Sequence, residues 1–334
     1  FIYTIFLVDI TSYYQMKFYS NVKNASTLIQ KYIKNTEFIY SNYFSKICNN
    51  EVWFKLENQQ FTGSFKVRGA LNKLLSLSKR EKEKGIIAAS TGNHGLAIAY
   101  ASDKLGIHSE VYVPYTASVD KINKIKKLGS EIKYFGEDCL EAENQARKNS
   151  KKNNKVYVSP YNDEYVLSGQ GTIAVEIINQ INSLDVIIIS VGGGGLIGGV
   201  SKYLKSIWPN IHIIGCSPEN SAVMIHSIAS EKILDLDSKP TLSDGTAGGL
   251  EHNSITFPIC REFIDQTILV KEDEIKHAMR LYYKHENQII EGAAGVAIAA
   301  LLKVKDKFLG KKVGVVLCGE NIDFDLFNSI INEK

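Results

Sequence analysis

The chain has 334 residues, 44% of them hydrophobic and 22% charged, with a formal net charge of +3. That balance belongs to a globular protein with one large or two ordinary cores; the charge is dispersed, with no basic stripe interleaved with aromatics to suit nucleic acid, and no apolar run reaches the length of a membrane span. Cys48, Cys139, Cys216, Cys260 and Cys318 are odd in number, widely spaced and free of any Cys-x-x-Cys pair, which argues against a disulfide framework or a zinc site and for a reducing, cytoplasmic setting.

The apolar start, Phe1 to Val8, lacks a basic region before it and is ended by Asp9, so it does not read as a signal peptide. Met16-Lys17 offers a second start, which makes residues 1–15 a dispensable extension. A short amphipathic helix is expected after Asn24 (Leu28, Ile29, Tyr32, Ile33), then a strand over Glu51–Leu56. Next comes Gly63-Ser-Phe-Lys-Val-Arg-Gly69, a lysine held between two glycines. Glycines let other groups approach the backbone closely, and a lysine in a tight, partly apolar turn loses its proton more easily. A neutral amine is what Schiff-base chemistry requires. The alternative is a solvated lysine at the head of an amphipathic helix (Val67, Ala70, Leu71, Leu74, Leu75) running to about Leu77.

From Gly85 strands alternate with helices. The expected strands are Ile86–Ala89, Ser109–Val113, Glu131–Phe135, Val156–Val158, Val186–Val191, Ile211–Cys216 and Val313–Leu317. The expected helices include Leu96–Leu105, Ser118–Leu128, Leu140–Asn149, Gly171–Ile181, Glu272–Glu286 and Ala293–Val304. This alternation is that of an α/β fold with parallel wound sheets and helices on both faces, in two layers with a cleft between them. Val186-Ile-Ile-Ile-Ser-Val191 fits a strand buried on both faces.

Two loops change the odds for the lysine. Gly192-Gly-Gly-Gly195 follows a buried strand and opens a helix, turning bare N–H groups toward a common point where the helix start adds positive potential: a phosphate cradle. Gly193-x-Gly195-x-x-Gly198 with Glu219 also fits a dinucleotide fingerprint. That nicotinamide alternative leaves the lysine turn and the second loop, Ser90-Thr-Gly-Asn-His-Gly95, without a role. The second loop also joins strand to helix and suits a carboxylate, although an ordinary N-cap from Ser90 or Thr91 is the simpler alternative. His94 has no second histidine or carboxylate at ligand spacing, so packing or hydrogen bonding is expected of it.

Taken in order, Gly63–Gly69, Ser90–Gly95, Gly169-Gln-Gly-Thr172, Gly192–Gly195 and Cys318-Gly-Glu-Asn321 closely resemble the fold-type II pyridoxal-phosphate enzymes. The branch is that of the serine/threonine dehydratases (ammonia-lyases) and serine racemase, over about Glu51 to Asp323. The resemblance implies the two-domain, tryptophan synthase β-like fold: residues 16–84 plus 163–334 as the large cofactor-binding domain and 85–162 as the small domain carrying the asparagine loop. It implies pyridoxal 5'-phosphate carried on Lys66, with Phe65 against the ring and Asn93 at the ring hydroxyl. Gly192, Gly193, Gly194, Gly195 and Leu196 would hold the phosphate, and Cys318 would face the ring nitrogen. The substrate carboxylate would lie on Ser90, Thr91, Gly92 and His94. Lys66 would remove the α-proton of a small hydroxy-amino acid, L-serine or L-threonine, giving a 2-oxo acid and ammonia, in a protein that is commonly a homodimer.

Thr91 keeps a hydroxyl where serine racemase has its second acid, so racemisation is the alternative activity. Asp244-Gly-Thr-Ala-Gly-Gly249 lacks the serine that the racemase presents to substrate, which tilts the reading to a dehydratase. The racemase's metal ligands fall on Ser217 and Val223, with only Glu219 near, so no divalent metal is expected there; its ring-side asparagine falls at Tyr161. A cofactor-binding protein without turnover is a further alternative, against which the intact lysine and glycine loops speak.

Overall fold

The computed structural model describes residues 2–333, with side chains described from Met16 on; those of the expected extension, residues 1–15, lie outside the described residues. The strands are β1 (Phe38–Tyr40), β2 (Glu51–Lys55), β3 (Ile86–Ala89), β4 (Ser109–Val113), β5 (Glu131–Tyr134), β6 (Val156–Tyr157), β7 (Val186–Ser190), β8 (His212–Pro218), β9 (Gln266–Val270) and β10 (Lys312–Val316). They form two sheets, one of six strands in the order β1-β2-β10-β7-β8-β9 and one of four in the order β5-β4-β3-β6. Every pairing is parallel except β1 with β2. Parallel strands need helical crossovers, so both faces are covered; all five residues of β7 are buried, as its run of branched side chains requires.

Three expectations are corrected. The helix placed after Asn24 is the tail of one helix, Ile2–Ile29, and Tyr32 and Ile33 lie beyond its end. The helix placed at Gly171–Ile181 begins at Glu164, where Asp163 caps the amides of Tyr165 and Val166. Gly169 and Gly171 disguised its first turns, because glycine weakens a helix interior. A Cβ at Gly169 would stand 2.6 Å from the Arg68 carbonyl and the Gly69 Cα of the Lys66 helix, and one at Gly171 would stand 2.8 Å from Val22 and 3.0 Å from the Gly199 carbonyl. Strands β1 and β9, both at sheet edges, were not foreseen: β1 has three residues, and β9 follows a helix with no turn signal to announce it.

The helix Lys66–Ser76 joins the two sheets. Its face Val67, Ala70, Leu71 and Leu74 packs into the core beside β3 and β4, and Phe65 belongs to the core under the six-stranded sheet. One turn into the helix lies a wholly buried charge cluster. Arg68 forks onto Glu57 (2.7 and 2.8 Å) and onto Glu176 (2.7 and 2.8 Å), and Lys55 Nζ meets Glu176 at 2.6 Å. Two positive and two negative side chains cancel, and Thr36 takes up remaining bonding capacity. Such a cluster is tolerable in a dry interior only when fully paired.

Candidate functional site

A cleft of about 1160 Å³ runs along the C-terminal ends of β3 and β4. It shares Lys66, Asn93, Gly245 and Glu291 with a small recess lined further by Phe65, Tyr161, Gly192–Gly195, Leu196 and Cys318. Ligands gather at this end of parallel sheets because the loops after the strands and the helix N-termini converge there.

The tetraglycine loop is built so that its donors stay free. Its carbonyls are engaged away from the recess: Gly193 O accepts from Thr256 Oγ1 at 2.6 Å, and Gly194 O accepts from Gly198 N at 2.8 Å. Among the described residues no acceptor takes the amide hydrogens of Gly192, Gly193, Gly194 or Gly195. Gly194 sits at φ +82° as N-cap of the helix Gly195–Ile207, a left-handed conformation that favours glycine. A Cβ at Gly193 would run into the Tyr161 ring. Four unengaged donors at the positive end of a thirteen-residue helix match an anion of phosphate type.

Lys66 opens its helix directly after Phe65, whose ring centroid is 5.2 Å from its Nζ. That Nζ donates to Pro160 O at 3.0 Å, and no carboxylate pairs with it within ion-pair distance among the described residues. Burial therefore dominates, and the ammonium is pushed down to about 8.

Ser90, Thr91 and Gly92 are half-buried on the cleft wall. Ser90 Oγ accepts from Gly92 N at 3.1 Å, so neither Ser90 nor Thr91 caps the helix Asn93–Leu105. Its N-cap is Gly92, with no side-chain bond, which leaves the first turn open to the cleft. His94 is buried, and its Nε2 stands 2.9 Å from Val158 O. A carbonyl only accepts, so Nε2 carries the hydrogen. Desolvation and the nearby Lys66 hold the ring neutral, pushed down to about 3.

The far rim is made of side chains. Asn93 Nδ2 donates to both oxygens of Glu291 (3.0 and 2.9 Å), and Asn93 Oδ1 accepts from Asn321 Nδ2 at 2.6 Å. Cys318 Sγ donates to Glu291 Oε1 at 3.7 Å, and burial holds the thiol well above its usual range. Burial, with the charge of Asp244 adding to it, pushes Glu291 up to about 7. Sequence reasoning missed Glu291. Its signal was a single acid within the apolar run Ile289-Ile-Glu-Gly-Ala-Ala-Gly295. Asn321 was quoted within a motif but given no part to play.

Across the cleft mouth, Lys121 meets Asp244 at 3.1 Å and Arg147 meets Glu251 at 2.8 Å, linking the helices beside the four-stranded sheet to the loop over Tyr161. Ser217 is buried with its Oγ donating to Val191 O, while Glu219 is exposed. The trio His108, Glu110 and Glu131 lies close enough for a metal, but Lys155 and Lys133 already hold its two carboxylates.

Comparison with known proteins agrees with this geometry. The family described as "Pyridoxal-phosphate dependent enzyme" matches residues 29–319. L-threonine ammonia-lyase of Thermotoga maritima is 37% identical over 313 residues, covering 94% of this chain and 78% of the relative. The processed form of threonine deaminase isoform 2 from Solanum lycopersicum superposes with a TM-score of 0.92 at 30% identity, covering 97% of this chain and 94% of that one. Serine racemase from Dictyostelium discoideum superposes with a TM-score of 0.85 at 36% identity, covering 92% and 99%.

Proposed function

The chain belongs to the pyridoxal-phosphate dependent enzymes, and from that premise we propose that it is an ammonia-lyase converting L-threonine, L-serine or both to the 2-oxo acid and ammonia. The observation that carries the reading is one recess lined by both a lysine of lowered basicity and four unengaged glycine amides. The residues present fit the cofactor. The free N–H groups suit its phosphate, the Lys66 amine its carbonyl carbon, the Phe65 ring its apolar face, and Asn93 and Cys318 its polar edge. When bound, pyridoxal phosphate supplies the electron sink that makes a substrate α-hydrogen acidic.

The chain's own groups do the rest. The open first turn at Asn93 and His94, with Ser90, Thr91 and Gly92 beside it, holds the substrate carboxylate. Lys66 Nζ, near neutrality at working pH, takes the α-proton. Threonine loses its β-hydroxyl as water and regains one water on hydrolysis, so the balance is threonine to 2-oxobutanoate plus ammonia. Residues 16–84 with 163–334 form the cofactor-binding domain and 85–162 the small one, joined by the packing of the Lys66 helix beside β3 and β4, by the bonds of Asn93 to Glu291 and Asn321, and by the two ion pairs across the mouth. Five unpaired cysteines support a cytoplasmic setting, and a homodimer is the assembly proposed here.

The test is an absorbance spectrum of the purified protein with pyridoxal phosphate, followed by ammonia and 2-oxo acid formed from L-threonine and L-serine. Visible absorbance and ammonia release, both lost in Lys66→Ala by about a thousandfold or more in rate, are expected; turnover unaffected by that change would end the proposal. Thr91, whose hydroxyl lies on the cleft wall, favours a second activity, racemisation, and D-serine appearing faster than ammonia would place it first.

A further inference from the structure

We infer that Glu291 is a positioning residue for the cofactor, acting by locking the amide of Asn93 in one orientation at the wall of the recess. The inference rests on the functional reading above, which sets Asn93 beside the ring hydroxyl.

An asparagine side chain has one end that accepts and one that donates, and surroundings decide which faces where. Here both ends are held. Asn321 Nδ2 donates to Asn93 Oδ1 at 2.6 Å and is itself anchored by donating to Thr62 O at 2.8 Å. At the other end Glu291 offers two oxygens, which only accept when ionised, to Asn93 Nδ2. A flipped amide would put oxygen against carboxylate and nitrogen against nitrogen. With the amide fixed this way, Nδ2 and the carboxyl it donates to both stand on the wall of the recess, which Asn93 and Glu291 line together.

The fold makes room for this carboxyl. A Cβ at Gly319 would lie 2.7 Å from the carboxyl carbon of Glu291. No lysine or arginine pairs with Glu291 within ion-pair distance among the described residues, so its charge is costly to bury. Glutamine would fill the same space without that cost, yet would also offer a donor and so release the amide of Asn93. The charged or titratable groups facing Glu291 are Cys318 after β10, Asp244 on the loop above, and Lys66 on its helix. Lys121 and Asp323 lie further out, in the outer pocket that Glu291 also borders.

The experiment uses Glu291→Gln, Asn93→Ala and the double variant as full chains. Pyridoxal phosphate is titrated into each cofactor-stripped protein to obtain Kd, and the visible spectrum of the loaded protein is followed from pH 5.5 to 9. Expected are a spectral change near neutral pH in the unaltered protein and its loss in Glu291→Gln, together with a Kd weakened on the order of tenfold in that variant, the scale of one charge-assisted hydrogen bond. In the Asn93→Ala background, Glu291→Gln should cost nothing more. Should Glu291→Gln fail to fold, Asn321→Ala frees the amide from its other end and carries the same expectation. Unchanged Kd and pH profile, or a full additional loss in the double variant, overturns the inference while leaving the enzyme reading intact. An unaltered protein that takes up no cofactor overturns both.

Discussion

At one end of the recess Gly192–Gly195 presents nothing but main-chain amides from four consecutive residues; at the other, Asn93, Glu291 and Cys318 present side chains from three distant stretches of chain, with Asn321 bonded to Asn93. Both ends are polar, but they differ in what can change them. Main-chain donors do not titrate and cannot be substituted, so the glycine end is insensitive to pH and fails only if its shape is lost. The side-chain end holds an acid near neutrality, so its state follows the medium. An anion that never changes charge type suits the first material; a ring whose proton arrangement matters suits the second.

Three measurements break or sharpen this contrast. The largest effect belongs to Gly193→Val, whose side chain would strike the Tyr161 ring and spoil the cradle. Cofactor affinity should fall about a hundredfold or more, roughly 2.7 kcal/mol, as read by titration, and by the same factor at pH 6 and pH 8.5; a pH-dependent loss would erase the distinction. Next is the rate at which cofactor-stripped protein takes up pyridoxal phosphate. On the proposed role of Lys66 only its neutral amine reacts, and burial pushes its folded value down to about 8. The rate should climb about tenfold per pH unit up to that point and then level off, as followed by stopped-flow absorbance. A plateau beginning near 10 would show an ordinary, solvated lysine.

The smallest effect is on stability without cofactor. Glu291 has a folded value raised to about 7, so between the unfolded value of about 4.3 and 7 the native state binds more protons than the unfolded one. Stability from this group therefore declines as pH rises through that window. Glu291→Gln removes the decline, so its melting temperature relative to the unaltered protein should rise between pH 5 and pH 7.5. A constant difference across that range would show that the buried acid carries no such cost.

The contrast also explains how much was legible in the sequence. Alternating strands and helices follow from local pattern, and the eight strands expected from it are all present within a residue or two. The glycine loop and the lysine turn announce themselves because each is a contiguous motif whose chemistry is local. Glu291 and Asn321 are 30 residues apart and act on Asn93, some 200 residues earlier; no local pattern encodes that meeting. The early start of the helix at Glu164 was hidden for a related reason, since Gly169 answers to the Lys66 helix and Gly171 to Val22 and Gly199, rather than to their own helix.

The ionic knot of Lys55, Glu57, Arg68 and Glu176 has a mechanical meaning for the amine two residues before Arg68. Greasy contacts tolerate sliding, because one methyl replaces another at little loss. Forked bonds do not: a slip by one turn would strand four opposite charges in a dry interior while carrying the lysine about 5.4 Å along the axis. The knot thus acts as a detent, giving the Lys66 nitrogen one permitted height above the sheet and no graded series of neighbouring ones.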